Sequence, residues 1–216
     1  MFLSESIQNL GWANLTIGQD ATLLEFAATI GTPVPDSFGS MNRFLVAKRH
    51  AVARHNTTSR VYGLNDFPLH TDCAHLDIPP RYLLLRSFLG QSSAVTKLIN
   101  PLITLGDVWE DVIKRATWRI NSGLKSRACT MHISHTTHGF RWDPHLMRPL
   151  NKFSALASTE FIHSLHNCKN VHAHVWESSQ QALLIDNWHV LHGRADVAET
   201  EHRCIERVYL KEIDHV

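Results

Sequence analysis

The feature that most constrains this chain is the run of short, strand-like segments that closes it. "NVHAHVW", "QALLIDNW", "HVLHGR" and "RCIERVYLKEI" follow one another between residues 170 and 213. Earlier in the chain, "RYLLLRSFLG" (81–90) is a strong strand, bounded by Pro79, Pro80 and Gly90. Helical segments are few and set between strands. Short strands with a few inserted helices suit a double-sheet jelly roll, mainly β and cupin-like, and do not suit a regular βαβ array.

The remaining segments fill in this frame. "DATLLEFAATIG" (20–31) reads as an amphipathic helix stopped by Gly31, with Pro33 and Pro35 blocking its continuation. "RFLVAKRHAVAR" (43–54) and "SRVYGL" (59–64) read as extended, the first with a helical alternative. "AVTKLI" (94–99) is a further strand candidate. In 105–120, Val108, Val112, Ile113, Ala116 and Ile120 fall at helical spacing and predict a helix. A strand, turn and strand are expected over 127–144. A second helix is expected over 151–167, with Phe153, Leu156, Ala157, Phe161 and Leu165 on roughly one side.

A chain of 216 residues is long enough for one domain with its own core. The division expected is an N-terminal support over residues 1–58 and a jelly-roll core over 59–212. A formal net charge of +1 with mixed signs gives no nucleic-acid footprint. No apolar run is long enough to span a bilayer, and the N-terminal segment lacks the early basic residues of a signal peptide. Cys73, Cys129, Cys168 and Cys204 form no Cys-x-x-Cys pair, so reduced thiols in a cytoplasmic protein are expected. Homo-oligomerisation stays open.

Histidine is the compositional outlier, at 16 residues. The stretch "HTDCAHLD" carries two His-x-Asp triplets, His70/Asp72 and His75/Asp77. Chance placement alone gives about one such triplet, so the motif by itself is weak. Its interest lies in geometry. On a strand, residues i and i+2 face the same way, so His70 and Asp72 would present an imidazole and a carboxylate to one point. A second His completes the facial triad of non-haem Fe(II) oxygenases, which leaves other coordination positions open. His192 is a candidate. Arg203 and Arg207, four apart on a strand, would then share a face, and a guanidinium fork suits a carboxylate.

Taken in order, "HTD", "IPPRYLLLRSF", "FRWDPHLMRP", "DNWHVLHGRA" and "RCIERVYL" resemble the taurine dioxygenase-like Fe(II)/2-oxoglutarate-dependent oxygenases over roughly residues 60–212. The resemblance implies His70, Asp72 and His192 as iron ligands and Arg203 as partner of the distal carboxylate of 2-oxoglutarate. It implies Thr96 as a helper of that carboxylate, through a one-residue gap. Arg207 matches a second basic position used for cosubstrate or for an acidic substrate group, and Arg141, with Asp143, matches the substrate pocket, the alternative being that these two simply pair with each other. It selects His70/Asp72 over His75/Asp77, and His192 over His189, by their distance from the "PP" and the arginines. The activity implied is hydroxylation of a C–H bond in a small, acidic or amino-acid-like metabolite. 2-Oxoglutarate and O2 are consumed, and succinate and CO2 are released. The chain is short for this family. Two other classes fit the same residues: a zinc-dependent cupin-like hydrolase or isomerase, and a non-catalytic binding protein retaining the fold.

Other histidine clusters have blander readings. His132, His135 and His138 sit among strand-like neighbours and lack Cys or Glu partners for a second metal. His163 and His166 suit the exposed C-terminal end of a helix. His172 and His174 read as same-facing surface residues of a strand. Asp186 and Asn187 are expected to shape the turn before His192, and the six Trp to serve the core.

Overall fold

The computed structural model describes residues 3–214 apart from 56, 106–107, 123–124 and 134–138. In chain order the elements are α1 (Leu3–Leu10), β1 (Trp12–Thr16), α2 (Leu23–Ile30), β2 (Gly31–Val34), β3 (Arg43–Val46), α3 (Thr58–Tyr62), β4 (Phe67–His70), β5 (Tyr82–Ser87) and β6 (Ser92–Ile99). There follow α4 (Pro101–Leu105), α5 (Val108–Arg115), β7 (Thr117–Ser122), β8 (Lys125–Thr130), β9 (Met147–Pro149), α6 (Lys152–Asn167), β10 (His172–Trp176), β11 (Gln181–Asp186), β12 (Leu191–Arg194) and β13 (Cys204–Ile213).

All the strand pairs are antiparallel, and two sheets make the double-stranded β-helix. The larger runs β1-β11-β5-β13-β2, with β3 also on β13; the smaller runs β10-β6-β12-β4. A third, short sheet, β8-β7-β9, stands beside them. The unbroken apolar run of β5 is explained by burial on both faces. Leu83 and Leu85 point between the two main sheets with Leu98, Trp176, Ile185, Val190, Ile205 and Tyr209. Tyr82 and Leu84 point the other way, onto a layer closed by Leu23 and Ala27 of α2 and Ile7 of α1. Strand β13 obeys the same parity: Ile205 and Tyr209 face the inter-sheet core, while Val208 and Leu210 face the helices. Glu206 is buried on that second face and neutralised there, accepting from Arg86 Nε at 2.8 Å and from Asn42 Nδ2 at 2.6 Å.

Helix α2 begins with a capping box. Thr22 Oγ1 accepts from the Glu25 backbone N–H, and the Glu25 carboxylate accepts from the Thr22 N–H. Helix α6 begins in the same way through Asn151 and Ser154. Three expectations change. The segment 59–64, expected to be extended, instead contributes to helix α3 (Thr58–Tyr62), closed by Gly63 at φ +57°. The helix expected over 105–120 is confined to α5, and its last positions belong to β7. Trp118 and Ile120 of β7, with Ala116 just before it, are buried at period two, because pairing of β7 with β8 and β9 overrides the helical spacing. On α6 the buried stripe is Ser154, Ala157, Phe161 and Leu165, whereas Phe153 and Leu156 face outward. All four cysteines are free thiols, and no described helix is long and apolar enough to cross a membrane.

Candidate metal centre

Strands β4 and β12 bring the site together. They pair antiparallel with His70 directly opposite His192, and the two rings lie 4.4 Å apart. Gly193 permits this approach: a Cβ there would stand 2.6 Å from the Phe67 carbonyl oxygen. The chain leaves β4 at His70, and Asp72 turns its carboxylate back toward both rings. Asp72 Oδ1 is 3.3 Å from His70 Nε2 and 3.9 Å from His192 Nε2. The three residues form the described group of His, Cys, Asp or Glu able to hold a metal ion, their ligand atoms all within 4.8 Å of one another. The spacing between His70 and Asp72 thus works through a turn after the strand end, not through strand parity.

The donor set fits a divalent transition metal. His70 Nδ1 is 3.0 Å from the Pro68 carbonyl oxygen. A carbonyl only accepts, so this contact places the ring proton on Nδ1 and leaves the Nε2 lone pair facing the site. Burial pushes His192 down to about 3, helped by the neighbouring His70, so its ring is neutral at physiological pH. Burial opposes the charge on Asp72, but the Arg207 guanidinium and the hydrogen bond to His70 outweigh it and hold the carboxyl well below its usual range. Burial opposes a charge on the His70 ring, but its hydrogen bond and attraction to Asp72 outweigh that and raise its pKa. Two imidazoles and one carboxylate are the ligands of the facial triad.

The backbone of Asp72 is pinned by a side chain from the β11–β12 turn. Asn187 Oδ1 accepts from the Asp72 N–H at 2.9 Å, and its Nδ2 donates to the Asp72 and Pro80 carbonyls. Sequence reasoning gave Asn187 a turn-shaping role only; the clamp joins positions 115 apart, which local pattern does not reveal. Asp186 does shape that turn, accepting from the Trp188 N–H and pairing with His189. His189 is therefore engaged outside the triad.

Beyond the triad, Arg203 and Thr96 meet between the two main sheets. Arg203 is 9% exposed, and its Nη2 donates to Thr96 Oγ1 at 3.3 Å. Trp176 Nε1 donates to the same hydroxyl at 3.0 Å. No carboxylate pairs with Arg203 among the described residues, and its buried Nε has no hydrogen-bond partner. Burial, reinforced by Arg194, lowers its pKa to about 10. Thr96 lies on β6 opposite Arg194, two residues from the partner of His192, so it shares the inward face of the smaller sheet with the ligand.

The other predicted site residues are placed differently. Arg207 donates from Nη1 to Asp72 Oδ2. Arg141, expected at the substrate pocket, is held by backbone carbonyls. It is buried, and its guanidinium donates to the carbonyls of Ala74 (3.1 Å), Leu76 and Asp77 (2.7 Å), bracing the loop behind Asp72. Asp143 does not pair with it but accepts from the His145 and Leu146 N–H groups. Asp77 pairs with Arg127 at the surface, and among the described residues the second His-x-Asp triplet joins no group able to hold a metal ion. His132 forms an isolated bridge with Phe140, while His135 and His138 lie outside the described residues. His163 and His166 are exposed, as expected. His174 is not at the surface: it is buried edge-on against Trp176.

No protein-family model and no curated protein sequence matches the chain. Solved structures do. PvcB from Pseudomonas aeruginosa superposes with a TM-score of 0.68 over 96% of this chain and 78% of its own, at 19% identity. A second structure of PvcB is described as an Fe, alpha-ketoglutarate dependent oxygenase from an isonitrile synthetic pathway. An asparagine oxygenase solved with Fe(II), 2S,3S-3-hydroxyasparagine and succinate gives 0.70 over 96% and 77%, at 14% identity. The non-haem iron oxygenase OrfP, with Fe, succinate and (3S)-hydroxy-L-Arg, gives 0.69 over 97% and 77%, at 16% identity. At such identities the likeness is one of fold: the chain has the jelly-roll architecture on which these iron oxygenases are built.

Proposed function

We propose that this chain is a non-haem Fe(II)/2-oxoglutarate-dependent oxygenase that hydroxylates an amino acid or a closely similar small metabolite. The observation that carries the reading is the pairing of two features on one inner surface. Three convergent ligands leave coordination positions open, and a buried guanidinium on the same inner surface has no carboxylate partner among the described residues. A buried charge without a counter-charge is costly and is tolerated where a ligand supplies one. A dicarboxylic cosubstrate supplies it while its other end reaches the metal.

His70, Asp72 and His192 would hold Fe(II), which with bound 2-oxoglutarate and O2 supplies the oxidising power for C–H hydroxylation and yields succinate and CO2. The protein's own contributions are positional. The Pro68 carbonyl and Asn187 fix the His70 ring and the Asp72 backbone. Arg203 pairs with the distal carboxylate of 2-oxoglutarate. Thr96 already accepts from Trp176 and Arg203, so its own hydroxyl proton is free to donate to that carboxylate.

Within the iron oxygenases, the ordered motifs favour the taurine dioxygenase-like branch. The substrate class draws support from the neighbours, two of which hold hydroxylated amino acids. It draws none from Arg141, whose guanidinium is bonded to the backbone. A zinc hydrolase would use the same ligands but gives Arg203 no task. The test is anaerobic addition of Fe(II) and 2-oxoglutarate, followed by oxygen and a panel of amino acids. A visible charge-transfer band that Arg203→Ala weakens, and substrate-stimulated succinate, are expected. Metal-dependent turnover without oxygen would establish the zinc reading instead.

A further inference from the structure

The side of Asp72 turned away from the imidazoles is fully engaged. Oδ2 accepts from Arg207 Nη1 at 2.8 Å and from the Tyr209 hydroxyl at 3.0 Å. Cys73 Sγ donates to the Tyr209 oxygen at 3.4 Å, so the single phenolic proton is directed to Asp72. Tyr209 is 2% exposed, and its ring stacks under the Arg207 guanidinium at 4.6 Å. Cys73 itself holds φ +57°, an uncommon backbone for a residue with a Cβ, immediately after the ligand. Arg207 and Tyr209 reach one oxygen because they are two apart on the stretch of β13 whose Ile205 and Tyr209 face inward.

We propose that Arg207 and Tyr209 are positioning residues that restrict Asp72 to one-oxygen coordination. Two strong donors on Oδ2 oppose rotation of the carboxylate into a two-oxygen mode, leaving only Oδ1 for the metal. This rests on the metal-site reading above and reassigns Arg207. Its guanidinium orients a ligand from behind rather than gripping the cosubstrate or an acidic substrate. The functional consequence is coordination number. A one-oxygen Asp72 leaves three of six octahedral positions open, and a two-oxygen Asp72 would close one of them.

The test uses the full chain, metal-free, with Mn(II) as a redox-inert probe. Mn(II) binding is followed by calorimetry, and the waters on the bound ion by proton relaxation. Tyr209→Phe is expected to keep its thermal transition, weaken Mn(II) about tenfold and lower relaxivity by about a third, the change from three exchangeable waters to two. Arg207→Met is expected to do the same more strongly, and Arg207→Lys to restore part of the affinity. If Arg207→Met does not fold, Tyr209→Phe carries the test alone. Unchanged affinity and relaxivity in Tyr209→Phe overturn the inference. So does an Arg207→Met that affects only the KM of cosubstrate or substrate. A wild-type chain whose Mn(II) binding survives His70→Ala overturns the metal reading itself, a distinguishable failure.

Discussion

Replacing Arg203 by Met separates the stability of this fold from its proposed chemistry, because the two should move in opposite directions. The guanidinium is buried, makes one hydrogen bond at 3.3 Å and faces no carboxylate among the described residues. Its pKa falls from 12.5 to about 10. That difference corresponds to roughly 3 kcal/mol of penalty on the charged form in the folded state. Methionine fills much of the same volume without the charge, and the lost bond to Thr96 returns about 1 kcal/mol of the gain. The ligand-free variant should therefore be about 2 kcal/mol more stable, raising Tm by roughly 4–8 °C for a chain of this size. Binding should suffer. Removing one member of a buried charge pair costs about 2–5 kcal/mol, or roughly 30- to several-thousand-fold in 2-oxoglutarate affinity. Thermal unfolding of the Mn(II)-loaded protein, with and without 2-oxoglutarate, reads both effects. At one hundred times the wild-type Kd the cosubstrate should stabilise the wild type by about 2.7 kcal/mol and the variant by less than about 1 kcal/mol. A variant that melts lower than wild type and is protected equally by 2-oxoglutarate would refute the claim that this cation awaits a ligand.

Asn187→Ala removes three hydrogen bonds that join the Asp72 and Pro80 backbones. It should cost roughly 3 kcal/mol in chemical denaturation and weaken metal binding, both measurable on one preparation. Gly193→Ala places a Cβ 2.6 Å from the Phe67 carbonyl oxygen, so β12 and β4 must separate. A loss of about 1–3 kcal/mol and of calorimetric metal binding is expected, and an unaffected site would show that the strands can slide. Burial, reinforced by His172, pushes His174 down to about 4. The unfolded chain binds its proton first, so the contribution of neutral His174 is full above the unfolded value near 6.5 and is lost as pH falls toward 4. Urea midpoints at pH 7.5 and 5 should differ less in His174→Phe than in wild type.

The sequence carried the architecture through particular segments. The apolar run at 81–90, flanked by prolines and glycine, is β5, and the closing series of short strands is β10 to β13. The helix over 151–167 matches α6 because Asn151 and Ser154 form a local cap, although its buried stripe is rotated from the expected one. Residues 116–120 misled, since Ala116 and Ile120 satisfy both helical and strand spacing. Only pairing with β8 and β9 decides between them. Tyr209 was missed although a signal existed: it shares the parity of Arg203 and Arg207.

What the sequence determined by itself is which side chains share a face along each segment, because backbone geometry sets those periods locally. From that followed the two-faced burial of β5 and the shared inward side of Arg207 and Tyr209 on β13, whereas His70 and Asp72 converge through a turn after β4. Which groups then meet was decided by pairing across the chain. His192 stands opposite His70 because β12 and β4 are neighbours in register. Arg207 reaches Asp72, and Arg141 the backbone of the loop after it. Such partners lie more than sixty residues apart, and no local periodicity encodes the distance between them.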